Sequence, residues 1–188
     1  MKWLVALALG AALNPALTVR DIDGVEQRPL HVDKGQARAL FFITQDCPIS
    51  NYYSHEIRRI CDEYAQRGLG CTLVYVDPTI TDDQVRKHAL DYGHGAYPKI
   101  VDRKHELVKA TGAAITPEAV VVGADGSIPY RGRIDNFYAA LGKPRRIVTE
   151  HNLRDALDAV FTGKAVAKPD VPPVGCYIPD LAAYAPGK

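Results

Sequence analysis

An α/β fold with parallel strands at its centre is predicted by three features of the sequence. Residues 39–44 (Ala-Leu-Phe-Phe-Ile-Thr) and 71–76 (Cys-Thr-Leu-Val-Tyr-Val) are unbroken apolar runs of strand length, as expected of strands covered on both faces. Each run leads into a segment whose residues follow helical signals. Strand, helix, strand, helix in that order requires parallel pairing with right-handed crossovers. The 188 residues suffice for one domain with a proper core, and 47% apolar with 24% charged residues is the balance of a globular chain.

The elements follow in order. Residues 17–32 read as a β-hairpin turning at Asp23-Gly24. After the central run, Ile49, Tyr52, Tyr53, Ile57, Ile60, Cys61 and Tyr64 recur at helical spacing over 48–67, and Gly68 and Gly70 end the pattern. Thr81-Asp82-Asp83 opens a second helix that runs to about Tyr92, before Gly93 and Gly95. A short helix is expected over 105–111. Thr116-Pro117 then leads into an apolar run at 118–122, an Asp125-Gly126 turn and a return over 128–133, an antiparallel hairpin. A last helix, opened by Thr149, carries Leu153, Ala156, Leu157, Val160 and Phe161 on one face and stops at Gly163. From Lys164 the chain is rich in proline (169, 172, 173, 179 and 186), which predicts an extended tail on the surface rather than a second domain.

Charge and cysteine usage narrow the function classes. Lys plus Arg number 23 and Asp plus Glu 22, so the net charge of +1 argues against a nucleic-acid or membrane-surface role resting on bulk charge. Four cysteines are too few for a disulfide scaffold and too widely spaced for a zinc knuckle. Residues 1–16 have the order of a secretory signal: Lys2, a short apolar stretch, then small residues, with cleavage expected between Gly10 and Ala16. The stretch is shorter than the roughly 18 residues of a membrane span, so membrane contact is expected only through this segment. The expected organisation is therefore a signal at 1–16, a domain at 17–163 and a tail at 164–188, working in an oxidising space where disulfides persist.

The informative segment is Phe42-Ile43-Thr44-Gln45-Asp46-Cys47-Pro48-Ile49-Ser50-Asn51. Cys47 falls immediately after a central strand and immediately before a helix whose first residue, Pro48, suits a position with no N–H partner to lose. The free amides of that first turn and the positive end of the helix dipole favour a thiolate, the form that attacks disulfides and peroxides. Asp46 adds a negative neighbour and is expected to cap the helix.

Taken together, these elements resemble the thioredoxin fold: a three-layer α/β arrangement with a central mixed sheet, here with an N-terminal hairpin and a Pro-rich C-terminal tail. More narrowly, residues 17–163 resemble the redoxin branch, comprising the alkyl hydroperoxide reductase/thiol-specific antioxidant family and exported TlpA-like thiol–disulfide proteins. The stretches Cys47-Pro48-Ile49-Ser50-Asn51, Tyr130-Arg131-Gly132-Arg133-Ile134-Asp135 and Val174-Gly175-Cys176-Tyr177-Ile178 are also similar to those of a bacterial subgroup of redoxin-domain proteins. The resemblance implies that Cys47 is the nucleophile and that Pro117, after Thr116, is a cis-proline facing it. It implies thiol–disulfide exchange with a protein partner or reduction of a peroxide, without cofactor, and sets no oligomeric state.

The sequence departs from the family in two ways. Ser50 stands where thioredoxins carry the second cysteine of Cys-x-x-Cys, so no dithiol forms within the helix turn. Peroxiredoxins carry Pro-x-x-x-Thr-x-x-Cys; Thr44 keeps the threonine, either orienting the thiolate or serving as an ordinary strand residue, and Leu40 replaces the proline. Arg131 or Arg133 is a candidate for the cation that peroxiredoxins set beside the thiolate, with Arg133 the one expected at the substrate site together with Pro48 and Thr116. Cys176 is the candidate resolving thiol, because the extended stretch from Gly163 covers about 40 Å at ~3.1 Å per residue, against a last helix on the order of 20 Å long. Cys61 and Cys71 flank a helix-to-strand turn, and of two readings, a structural disulfide and a pair of small core side chains, the second is preferred. A non-catalytic protein binding Cu(I) or a partner on the same scaffold is the alternative of another class, although the Cys-x-x-x-Cys of copper-handling relatives is missing.

Overall fold

The computed structural model describes residues 13–95 and 97–184, so most of the signal-like segment lies outside the described residues. A small hairpin pairs β1 (Val19–Arg20) with β2 (Glu26–Gln27). Then come β3 (Ala37–Ile43), α1 (Pro48–Ala65), β4 (Leu69–Tyr75), α2 (Asp82–Asp91), β5 (Lys99–Val101) and α3 (Glu106–Thr111). The second half holds β6 (Ile115–Thr116), β7 (Glu118–Gly123), β8 (Tyr130–Gly132), β9 (Tyr138–Ala140), β10 (Lys143–Pro144), α4 (Asn152–Phe161), β11 (Asp170–Val171) and β12 (Cys176–Tyr177).

The main sheet has the order β11-β8-β7-β3-β4-β5. β3 runs parallel to β4 along its whole length and antiparallel to β7, which makes the sheet mixed as expected. The unbroken apolar run of β3 divides between two cores. Phe41 and Ile43 pack with Ile57, Ile60 and Tyr64 of α1 and Leu153 and Leu157 of α4. Leu40 and Phe42 pack on the other face with Leu107 of α3, Leu30 and Leu13. Alternation at period two thus sends successive side chains into opposite layers, and both layers are covered.

Local signals explain the helix ends. Thr81 and Gln84 form a capping box at α2, each side chain taking the other's backbone N–H. α4 begins at Asn152, later than the Thr149 start expected, because the amides of Thr149 and Glu150 are taken by Asn136 Oδ1 in the preceding loop. The tail is not merely laid on the surface. β11 adds to the main sheet parallel to β8, and β12 pairs antiparallel with β6. Glycines make both approaches possible: a Cβ on Gly132 would overlap the Val171 carbonyl oxygen, and one on Gly175 the Thr116 carbonyl oxygen.

The preference for Cys61 and Cys71 as separate core side chains is corrected. They form a disulfide joining α1 to β4, with Cα atoms 6.1 Å apart.

Candidate active site

The chain leaves β3 at Ile43 and turns so that the Cys47 amide donates to the Thr44 carbonyl at 3.4 Å. Cys47 has extended backbone angles (φ −86°, ψ 109°) and is itself the N-cap of α1, with Pro48 following at the first helical position. Asp46, expected to cap the helix, is therefore displaced from that role by its neighbour. The consequence is chemical. An N-cap side chain normally offers an oxygen to the amides of the second and third helical residues, and here the group in that place is sulfur. In the neutral thiol it makes no close cap bond, yet the Ile49 and Ser50 amides both favour its ionised form.

Cys47 is 1% exposed, and its sulfur lies between two partners. As a thiol it donates to the Thr116 carbonyl at 3.3 Å, just before the cis Thr116–Pro117 bond. The Cys176 thiol donates to Cys47 Sγ across 2.9 Å. Strand pairing delivers Cys176 there: it stands opposite Thr116 in the β6–β12 register, and the Thr116 hydroxyl donates to the Cys176 carbonyl at 3.4 Å. Burial is the largest influence on Cys47 and pushes its pKa up, but donation from Cys176, the Ser50 hydroxyl and the Ser50 and Ile49 amides outweighs it, leaving the thiol below its ordinary value of 9.0. Cys176 moves the opposite way, to about 11, through burial and then its bond to and charge repulsion from Cys47. The pair therefore has one easily ionised sulfur and one that holds its proton.

The residues expected at the site are placed unequally. Cys47, Cys176, Thr116 and Pro117 converge, and Pro48 lies exposed at the start of α1. The Thr44 hydroxyl meets the Thr116 hydroxyl at 3.5 Å, so it bears on the sulfur through Thr116. Arg133 is a correction: its guanidinium donates to Asn152 Oδ1 at 2.8 Å and Glu150 Oε2 at 2.9 Å, at the start of α4. Arg131 is likewise engaged, pairing with Asp170 at 2.6 Å. Neither arginine is among the groups that set the Cys47 pKa.

Sequence reasoning missed Ser50 and Tyr138. The Ser50 hydroxyl is buried without a hydrogen-bond partner of its own, and it favours the ionised form of Cys47. Tyr138, raised in pKa by burial and then by Cys47, belongs to an aromatic group in which Tyr52 stacks on Phe137 at 4.4 Å. Two thiols are soft ligands suited to Cu(I); among the described residues no cluster of three or more His, Cys, Asp or Glu is arranged to hold a metal.

No family model matches the sequence, and no curated protein matches it. Solved structures do. An uncharacterized conserved protein from Geobacillus kaustophilus is similar at 25% identity and a TM-score of 0.76, covering 94% of both chains. A hypothetical protein, SMc02350, from Sinorhizobium meliloti matches at 26% identity and 0.74, over 92% of this chain and 95% of that one. A thiol:disulfide interchange protein of the thioredoxin family from Chlorobium tepidum matches at 20% identity and 0.53, over 64% of this chain and 83% of its own. The chain has a thioredoxin-like fold. On this thioredoxin-like scaffold the Chlorobium likeness covers less of the chain than the first two, which extend over nearly all of it.

Proposed function

We propose that the protein is an extracytoplasmic thiol–disulfide oxidoreductase in which Cys47 attacks and Cys176 resolves. The observation that carries this reading is the 2.9 Å approach of the two sulfurs, one lowered in pKa and the other raised. The Cys47 thiolate attacks a partner disulfide, forming a mixed disulfide and expelling one partner thiolate. Cys176 then passes its proton to a base or water and attacks Cys47 Sγ. The Cys47–Cys176 bond forms, the mixed disulfide breaks, and the second partner thiol leaves. The partner gains two electrons and the protein loses two. A separate thiol reductant returns the protein to its dithiol state.

Exchange is favoured over peroxide reduction because Thr44 bonds to Thr116 and both hairpin arginines are engaged elsewhere, so neither of them is set beside the thiolate. Work outside the cytoplasm is supported by the signal-like residues 1–16 and by the Cys61–Cys71 disulfide, which an oxidising space preserves. Leu13 is packed into the second core, so cleavage before that residue would keep its contacts. The deciding experiment is peptide mass mapping after glutathione disulfide oxidation and thiol blocking. Cys47 and Cys176 are expected in one crosslinked peptide pair and Cys61 with Cys71 in another. Linkage of Cys176 to any other residue, or two blocked thiols after oxidation, would sink the reading.

A further inference from the structure

Behind the nucleophile's turn lies a buried polar chain that the redox step does not use. Tyr75, at the end of β4, donates its hydroxyl to His88 Nδ1 of α2 at 2.9 Å. His88 Nε2 meets Asn51 Oδ1 of α1 at 2.8 Å, and Asn51 Nδ2 donates to the Gln45 carbonyl at 2.9 Å. Direction follows from the donor inventory: the Asn51 amide NH₂ is spent on Gln45, its oxygen faces His88, so Nε2 carries the ring proton and Nδ1 accepts from Tyr75. The chain is satisfied throughout with His88 neutral. Tyr75 is fully buried and His88 nearly so, and burying groups like these is costly unless each finds its partner.

The place where the chain ends gives it a meaning beyond satisfied polarity. Asn51 grips the nucleophile's turn from both sides, its side chain on the carbonyl of Gln45 and its backbone amide on the carbonyl of Cys47 at 3.0 Å. Between those two anchors lie Asp46 and the Cys47 backbone, whose extended angles set the sulfur before the Ile49 and Ser50 amides. We propose that Asn51 is a positioning residue for the Cys47 thiol, held in place by His88 and Tyr75 behind it. The inference rests on the nucleophilic reading of Cys47 given above. Asn51 touches neither the sulfur nor a partner; it acts by fixing the turn that carries them.

The rate of Cys47 alkylation by iodoacetamide as a function of pH reads this directly, in full-length protein with Cys176 present and Cys61–Cys71 intact. Asn51→Ala, at a half-exposed position, removes both the donor to the Gln45 carbonyl and the acceptor facing His88. His88→Leu removes the bracing donor. Both variants are expected to move the thiol midpoint upward and slow alkylation at pH 7 by roughly 3- to 10-fold, a full pH unit being about tenfold. His88→Gln is expected to stay within about twofold of the parent, because its amide can donate to Asn51 and accept from Tyr75. Asn51→Ala and His88→Leu profiles superimposed on a low-titrating parent would overturn the positioning role and leave the nucleophile standing. His88→Gln as impaired as His88→Leu would overturn it too, by pointing to packing alone. A parent thiol that titrates at its ordinary value would remove both readings together.

Discussion

The Cys47 sulfur is subject to opposed influences, and their balance sets its reactivity. Burial resists ionisation; the Cys176 thiol, the Ser50 hydroxyl and two helix amides promote it. Removing the strongest of the favourable groups should therefore reverse the sign. Cys176→Ala is expected to raise the Cys47 midpoint toward or above its ordinary value. Thiolate absorbance near 240 nm would then grow in at higher pH than in the parent, and alkylation at pH 7 would fall by roughly tenfold. An unchanged titration curve would mean that the two sulfurs do not communicate. At this scale part of the site is legible in the sequence and part is not. Cys47 can be read because a strand run, a cysteine and a proline are contiguous. Ser50 cannot, since a serine three residues into a helix is unremarkable until its hydroxyl is found buried, unpartnered and acting on the Cys47 thiol. Arg133 reads as a free cation on a hairpin because one sequence does not say that Glu150 and Asn152 lie beneath it.

Elements with long periodic patterns are the ones the sequence specifies well. α1, α2, β3 and β4 coincide with their apolar runs and breakers to within a few residues. The two-residue strands escape, because a pair of residues has no period; β12 reads only as proline-rich tail, and the pairing that matters lies in its partner β6. Likewise the ten-residue spacing of Cys61 and Cys71 admits a disulfide and two core side chains, the second being the preferred reading of the sequence, and only the helix-to-strand geometry overturns it. The tail's role leads to a prediction about Gly175. Its Cα hydrogen faces the Thr116 carbonyl with no room for a Cβ, so Gly175→Val must push β12 away from β6. Cys176 would leave Cys47, and Cys47 would lose its cover. Formation of the Cys47–Cys176 bond under glutathione disulfide should slow at least about tenfold, while a bulky maleimide, applied above the thiol midpoints of both proteins so that ionisation is equal, should label Cys47 faster than in the parent. Quenched-flow sampling with mass detection measures both rates on the same protein. If both are unchanged, the β6–β12 pairing does not control access to the nucleophile.

Across the whole molecule, two histidines between α1, α2 and the end of the sheet couple folding to acidity. His88 and His94 lie with ring centroids 5.5 Å apart and planes tilted by 35°, and burial holds both below the ordinary value of 6.5. For His94 the pKa falls to about 4, through burial first and then the positive fields of His88, Lys99, Arg58 and His55. Its Nδ1 has no hydrogen-bond partner, so a proton added there would be buried and unpaired. A folded-state pKa below the unfolded one means that between pH 6.5 and about 4 the unfolded chain binds protons that the folded chain refuses. Stability is thus complete above that window and is lost as pH falls through it, by at most roughly 3 kcal/mol from His94. Asp102 and Glu118 act in the opposite sense, since burial raises their pKa values and acid relieves a buried charge. The histidine contribution can be separated because His94→Gln removes it and leaves the carboxylates in place. Urea midpoints taken from pH 7.5 to 4.5 should fall steeply for the parent and markedly less for His94→Gln, with Ser54 still able to bond the substituted amide. Parallel curves would show that His94 takes up its proton in the folded state at no cost, and the acid sensitivity of this thioredoxin-like domain would then have to come from His88 or from surface carboxylates such as Asp125 and Glu150.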